Sequence, residues 1–136
     1  MPPVTKLTDQ NDLVPTKIYP AYANFPFENF NPVQSRIFEL YDKDCNVIVA
    51  AKTSAGKTIC SEMIMSHEIR ERGGKAMFLA PLKALAKEKI DDWTDPNHHF
   101  ADCNLSICTG DYRLTASRKK ELENSDIVLM TSEMLN

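Results

Sequence analysis

The stretch VIVAAKTSAGKT, from Val47 to Thr58, passes from an unbroken apolar run into a loop of small residues. The apolar run, with Asn46 before it, has the length and the β-branched content of a buried strand, which we predict over residues 46–50. Apolar residues recur on one face after the loop, and Gly73-Gly74 closes the pattern, which predicts a helix over 57–72. That face carries Cys60, Met63, Ile64 and His67.

The loop between this strand and this helix has the pattern of a phosphate-binding loop. It consists of Ala51, Lys52, Thr53, Ser54, Ala55 and Gly56, followed by Lys57 and Thr58. Small side chains let backbone N–H groups turn inward around an anion, and the helix start adds the positive end of its dipole. In this pattern the lysine reaches the β and γ phosphates and the threonine hydroxyl binds Mg²⁺. We therefore predict binding of a nucleoside triphosphate with Mg²⁺, although Ala51 stands where the pattern usually has its first glycine.

Further apolar runs predict strands over 76–80, 105–108 and 126–130, and amphipathic stretches between them predict helices over 82–93 and 115–124. Asn31 and Pro32 are suited to the N-cap and first position of an earlier helix, over about 32–42. The alternation predicts an α/β fold, an open and mostly parallel sheet with helices on both faces. Residues 1–31 hold five of the eight prolines, and we predict that they form an irregular aromatic arm. We predict that residues 32–136 form the folded domain.

The predicted strand ends share another feature, because ligands of open parallel sheets gather at the carboxyl edge. Pro81, Leu82 and Lys83 follow the second strand, and Pro81 is suited to the first position of a helix. Thr109, Gly110 and Asp111 follow the third strand, and Thr131 or Ser132 can cap a helix after the fourth. Each feature alone is typical of a turn or a helix start. Together they predict a second polyanion at the edge that holds the phosphate loop.

Composition limits the classes of function. The net charge of −3 argues against nucleic-acid binding by bulk basicity, so any such contact is built locally. No apolar run has membrane-spanning length and no secretory leader opens the chain, so we expect an intracellular protein with no membrane contact. The four scattered cysteines read as reduced thiols.

Five segments in order carry a family resemblance: FNPVQ, AKTSAGKT, APLKALAKEKIDDW, TGD and VLMTSEML. Over residues 27–136 the chain resembles the first RecA-like domain of a superfamily 2 DExH-type helicase, in the Ski-type branch with the Brr-type and Mer-type helicases. The resemblance implies that Gln34 reads the adenine edge, so that the nucleotide is ATP, and that Lys57 and Thr58 hold its phosphates and Mg²⁺. It also implies that one nucleic-acid strand, DNA or RNA, runs along Pro81–Leu85, Thr109–Asp111 and Thr131–Ser132.

The chain departs from the family pattern in two ways. Lys52 stands where the family commonly has proline, and the sequence stops at Asn136 before the acidic DExH motif and a second RecA-like domain. The family's water-activating glutamate and arginine finger have no counterpart in these residues. We expect a second RecA-like domain beyond residue 136, and a chain that binds ATP without hydrolysing it. A double-strand DNA translocase and a non-catalytic nucleotide or nucleic-acid binding module remain alternatives.

Overall fold

The structure, a computed structural model, describes residues 13–19, 22, 26–52, 56–110 and 115–135. The chain divides into two compact units, residues 1–67 and 68–136. In chain order the elements are α1 (Pro32–Ile37), α2 (Lys57–Arg70), β1 (Ala76–Ala80), α3 (Lys83–Trp93), β2 (Leu105–Cys108), α4 (Ala116–Glu123) and β3 (Ile127–Thr131). Short 3₁₀ turns cover Thr16–Ile18 and Ser132–Leu135. Within the described residues, no helix is both long and apolar enough to cross a membrane.

In the first unit, α1 begins as the sequence predicts and ends earlier. Asn31 is the N-cap, its side chain accepts from the Gln34 N–H, and Pro32 opens the helix. From Phe38 to Leu40 each backbone N–H bonds the carbonyl three residues back, so the chain tightens into turns and the predicted end at residue 42 is wrong.

The core of the first unit is aromatic. It contains Tyr22, Phe30, Ile37, Cys60 and Met63. The rings of Tyr22 and Phe30 meet edge to face with centroids 5.3 Å apart. Both share the cluster with residues of α1 and α2, so Tyr22 and Phe30 pack against these helices.

The strand predicted over 46–50 is absent from the described structure, where this segment is irregular. Val47 and Val49 pack against the core of the first unit, whereas the Ile48 side chain is 90% exposed. One face of the segment is therefore covered and the other is open. An apolar run becomes a strand only when a neighbouring backbone completes its hydrogen bonds, and none of the described residues pairs with it.

The second unit is built on the three other predicted strands, which form one parallel sheet in the order β1-β3-β2. The register pairs Ala76 with Ile127 and Ala80 with Thr131 on one side of β3. On the other side Leu105 pairs with Ile127 and Cys108 with Met130. An open parallel α/β sheet is confirmed, and its three strand ends lie at one edge.

Helix α3 packs against this sheet through buried Ala86 and Trp93. The Trp93 ring lies edge to face on Phe78, with centroids 5.1 Å apart. Alternate residues of β1 behave differently, because Met77 and Leu79 are 56% and 46% exposed. One side of β1 is therefore partly open to solvent, although the continuous apolar run is typical of a strand covered on both faces.

The predicted start of α3 also needs correction. The helix begins at Lys83, with Leu82 as an extended N-cap and Pro81 before it, so Pro81 is not the first helical residue. The helix predicted over 82–93 includes Leu82 as its first residue. In the structure Leu82 lies outside the helix and its side chain is 66% exposed.

Candidate nucleotide and nucleic-acid sites

The predicted phosphate loop ends at the start of α2. Lys57 and Thr58 are the first two helical residues, and both are half-buried. Gly56 before them has a φ of +73°, a left-handed conformation that favours glycine. Ala51 is half-buried and Lys52 is exposed, while Thr53, Ser54 and Ala55 lie outside the described residues.

Gln34 connects α1 to this loop. Its Oε1 accepts from the Asn31 N–H at 3.1 Å, and its Nε2 donates to the Gly56 carbonyl at 3.3 Å. The side chain is buried, with 6% exposed. A Cβ on Gly56 would lie 2.3 Å from the Gln34 Nε2, so a larger residue here would require the Gln34 amide to move.

The first of these bonds completes a capping box between Asn31 and Gln34. The sequence carries the signal, since a capping residue followed three positions later by glutamine is typical of a helix start. Asn31 was predicted as the cap, whereas the reciprocal bond from the Asn31 N–H to Gln34 was not predicted. A side-chain amide has two hydrogens and two lone pairs, so Gln34 retains capacity to bind a base edge.

The residues at the start of α2 fit a nucleotide with its magnesium ion. A glycine with a left-handed φ of +73° directly precedes a lysine ammonium and a threonine hydroxyl at the start of the helix. Hydroxyl oxygen is a ligand that Mg²⁺ accepts, and the ammonium is a compact charge suited to phosphate.

The second unit brings the three strand ends to one edge. Because Ala80 pairs with Thr131 and Cys108 pairs with Met130, the chain leaves all three strands at the same level of the sheet. Lys83, the first residue of α3, is exposed there. The arrangement matches what the sequence predicts for parallel strands.

The residues at this edge differ in exposure. Thr109 is fully buried, and its hydroxyl has no hydrogen-bond partner in the part of the chain that the structure describes. Gly110 is exposed in a turn, whereas Asp111 lies outside the described residues.

The third strand end corrects one prediction. Thr131 is the last residue of β3 and only a 3₁₀ turn, Ser132–Leu135, follows it. Its hydroxyl donates to Oε1 of Glu133 at 3.2 Å instead of accepting from a helix N–H. Glu133, which the sequence analysis did not select, is therefore part of this edge.

A charged contact away from these predicted sites fixes a loop of the second unit. The Arg70 guanidinium donates to both Asp102 carboxylate oxygens, at 2.8 and 3.1 Å, and to the His99 carbonyl at 2.6 Å. The hydrogen bond from Arg70 lowers the pKa of Asp102. Burial, with smaller contributions from His98 and Arg70, lowers the pKa of His99 to about 3. His99 is therefore neutral near neutral pH.

The cysteines are free thiols, as the sequence predicts. Cys60 and Cys108 are buried, Cys103 is half-buried and Cys45 is exposed. Burial raises the pKa of the Cys60 thiol to about 11, so this sulfur stays protonated and behaves as a small apolar group.

An open parallel α/β sheet whose strands end in loops and helix starts at one edge defines a fold of the RecA-like P-loop class. The DEAD/DEAH box helicase family matches residues 31–136. The match covers most of the chain, and the chain belongs to this family.

Known proteins are similar over nearly the whole chain. The human protein named activating signal cointegrator 1 complex subunit 3 is 36% identical over 138 residues, which cover 97% of this chain and 6% of that protein. Its Gallus gallus counterpart is 42% identical over 136 residues, with the same coverage. The Arabidopsis thaliana protein named DExH-box ATP-dependent RNA helicase DExH13 is 37% identical over 139 residues, again 97% and 6%. The chain thus spans about 6% of the length of these relatives.

Proposed function

We propose that the chain is the ATP-binding part of an ATP-dependent nucleic-acid helicase. The observation that carries this proposal is the left-handed Gly56 before Lys57 and Thr58 at the start of α2. A glycine in this conformation turns the backbone into the helix, and the dipole of a helix start favours an anion there. Membership of the DEAD/DEAH box helicase family supports a nucleoside triphosphate as that anion.

Each residue at this loop has a separate task in the proposal. The Lys57 ammonium neutralises charge on the β and γ phosphates, and the Thr58 hydroxyl binds Mg²⁺. When bound, the metal would supply positive charge that stabilises charge developing on the phosphates, and the Thr58 hydroxyl would hold it. Backbone N–H groups of the loop from Ala51 to Gly56 surround the phosphates.

Gln34 selects the base. Its amide already bonds the Gly56 carbonyl and the Asn31 N–H, and its remaining hydrogen and lone pair match the donor and acceptor on one edge of adenine. A single residue then contacts both the loop and the base. Guanine presents the opposite polarity at the corresponding edge and is disfavoured.

The edge of the sheet in the second unit contributes a path for one strand of nucleic acid. Lys83 with the loops after β2 and β3 would contact phosphates, and such contacts carry no sequence preference. Arabidopsis relatives named as RNA helicases support RNA as the strand, while the resemblance of the motifs allows either nucleic acid. A helicase function also requires a second RecA-like domain as a partner of this one.

Replacing Lys57 tests the proposal. Lys57→Ala is expected to remove most Mg-ATP binding in a calorimetric titration, because it deletes the ammonium that the phosphate-loop pattern directs at the terminal phosphates. Lys43→Ala is the matched control, since it removes the same charge from an exposed turn of the same unit and should bind ATP as the unchanged chain does. GTP in the same titration tests Gln34.

Two outcomes count against the proposal. Equal ATP affinity in Lys57→Ala and Lys43→Ala would exclude the phosphate loop as the site. Equal affinity for GTP and ATP in the unchanged chain would exclude Gln34 as the reader of the base and leave the phosphate loop in place.

A further inference from the structure

The exposed side chain of Glu133 reaches back to the strand ends. Its Oε1 accepts from the Thr131 hydroxyl at 3.2 Å, and a Cβ placed on Gly110 would lie 3.0 Å from the same oxygen. Thr131 ends β3 and Gly110 follows β2 by two residues. The carboxylate therefore lies between the ends of two adjacent strands.

Among the residues that the structure describes, no cation pairs with this carboxylate. None of the ion pairs among the described residues includes Glu133, and the residue is exposed. An exposed carboxylate is well solvated, so moving it away from the Thr131 hydroxyl carries little energetic cost. Another hydrogen-bond acceptor can therefore replace Glu133 at the Thr131 hydroxyl.

A phosphate of a nucleic-acid strand is such an acceptor. The Thr131 hydroxyl has one hydrogen, so it donates either to Glu133 or to a phosphate oxygen. A carboxylate and a phosphate at the same edge also repel each other, and this repulsion weakens as salt rises. Gly110 leaves room for either group to approach the backbone, because it has no Cβ.

We propose that Glu133 takes the place of a phosphate at the strand ends when no nucleic acid is bound, and that it opposes binding of a single strand. This inference rests on the proposed strand path. Glu133 then lowers the affinity of these strand ends for a nucleic-acid strand. The strand binds only when one of its phosphates displaces the Glu133 carboxylate from the Thr131 hydroxyl.

Glu133→Gln tests the proposal because glutamine keeps the length and the acceptor oxygen and removes only the charge. Binding of fluorescein-labelled polythymidine and polyuridine single strands to the full chain is measured by fluorescence anisotropy over a range of salt. Glu133→Gln should bind about fivefold more tightly at low salt, the factor for removing repulsion between two unit charges about 4 Å apart in water. Glu133→Ala, which also removes the competing acceptor, should bind at least as tightly.

Glu123→Gln is the matched control. It changes the net charge equally, but Glu123 ends α4 just before β3 and so lies toward the opposite, amino edge of the sheet. It should bind as the unchanged chain does, and its thermal unfolding together with that of Glu133→Gln reports whether the fold is kept. Lys83→Glu tests the path itself and should weaken binding.

The outcomes separate this inference from the function on which it rests. If Lys83→Glu weakens binding while Glu133→Gln equals or falls below the unchanged chain, Glu133 supports the path and the inference is wrong. An equal gain in Glu123→Gln would reduce the effect to net charge and would also overturn it. Absence of strand binding in every variant would overturn both the inference and the strand path.

Discussion

Gly56 is the residue at which backbone conformation and side-chain packing impose the same requirement. Its φ of +73° is unfavourable for a side chain, and a Cβ would meet the Gln34 amide at 2.3 Å. Gly73 shares the conformation, at +66°, but has nothing within 4 Å of a built Cβ. The two glycines therefore separate the cost of the conformation from the cost of the contact.

Alanine at each glycine should reveal this difference. Gly73→Ala is expected to lower the free energy of unfolding by about 1 kcal/mol, the cost of a left-handed conformation for an L-residue. Gly56→Ala should cost roughly 1–3 kcal/mol more, because the methyl group overpacks the contact with Gln34. Urea unfolding measures both. The extra cost should shrink in a Gln34→Ala background, and a difference that survives there would show that Gln34 is not its cause.

Sequence reasoning at the residue scale succeeded where the signal is local. The loop pattern and the Asn31 cap are read from neighbouring residues, and the structure confirms the cap and the helix start at Lys57. Arg70 with Asp102 and the contact of Glu133 with Gly110 escaped prediction. Both join residues that are far apart in the sequence, and only the folded chain brings such residues together.

At the scale of elements, strand prediction depended on whether a partner strand was present. The run over 76–80 and the run over 46–50 are both short and apolar in the sequence, yet among the described parts of the chain only the first pairs, with β3. Hydrophobic periodicity reports burial, whereas a strand also needs backbone partners, which a single segment does not encode. Helices carry their hydrogen bonds internally, and α2, α3 and α4 accordingly lie within a few residues of their predicted bounds.

The loop between α3 and β2 is held by Arg70 and contains the half-buried His99. Because burial lowers the pKa of His99 to about 3, the unfolded chain binds a proton between that pH and its ordinary value of 6.5, while the folded chain does not. Stability therefore rises with pH across this window and is lost as pH falls through it. The pKa of Asp102 is lowered from 3.8, so its contribution is lost at lower pH.

Removal of the His99 imidazole should flatten this dependence. We expect thermal unfolding midpoints of the unchanged chain to fall from pH 7 to about pH 4.5, a range in which ordinary carboxylates stay mostly ionised, and those of His99→Gln to fall less. Differential scanning calorimetry at several pH values provides the midpoints. Parallel curves for the two proteins would show that His99 titrates alike in the folded and unfolded chains.

At the scale of the whole molecule, the α/β class was predictable because apolar runs of strand length alternate with amphipathic stretches. The order β1-β3-β2 was not, since no local pattern specifies which strands become neighbours. The division into units of residues 1–67 and 68–136 also differs from the boundary predicted after residue 31, which remains a prediction. Composition marks the aromatic arm, whereas its packing with α1 depends on contacts across the first unit.

Hydrolysis makes demands beyond those that Lys57 and Thr58 meet in our proposal. Water attack on the γ phosphate needs a group that orients the water and a cation on the developing charge, and an arginine finger alone contributes roughly 10³ to 10⁵ in rate. Lys57 and Thr58 supply one charge and one metal ligand. The motifs that would supply the remainder in the family resemblance have no counterpart among the 136 residues.

That the chain binds ATP without hydrolysing it is tested most directly by measuring both properties on one preparation. Calorimetry with Mg-ATP should give saturable binding that Lys57→Ala removes, and a steady-state phosphate-release assay with and without a single strand should give no turnover above the Lys57→Ala background. Strand-stimulated turnover that Lys57→Ala abolishes would contradict this, because it would show a complete catalytic site within these residues.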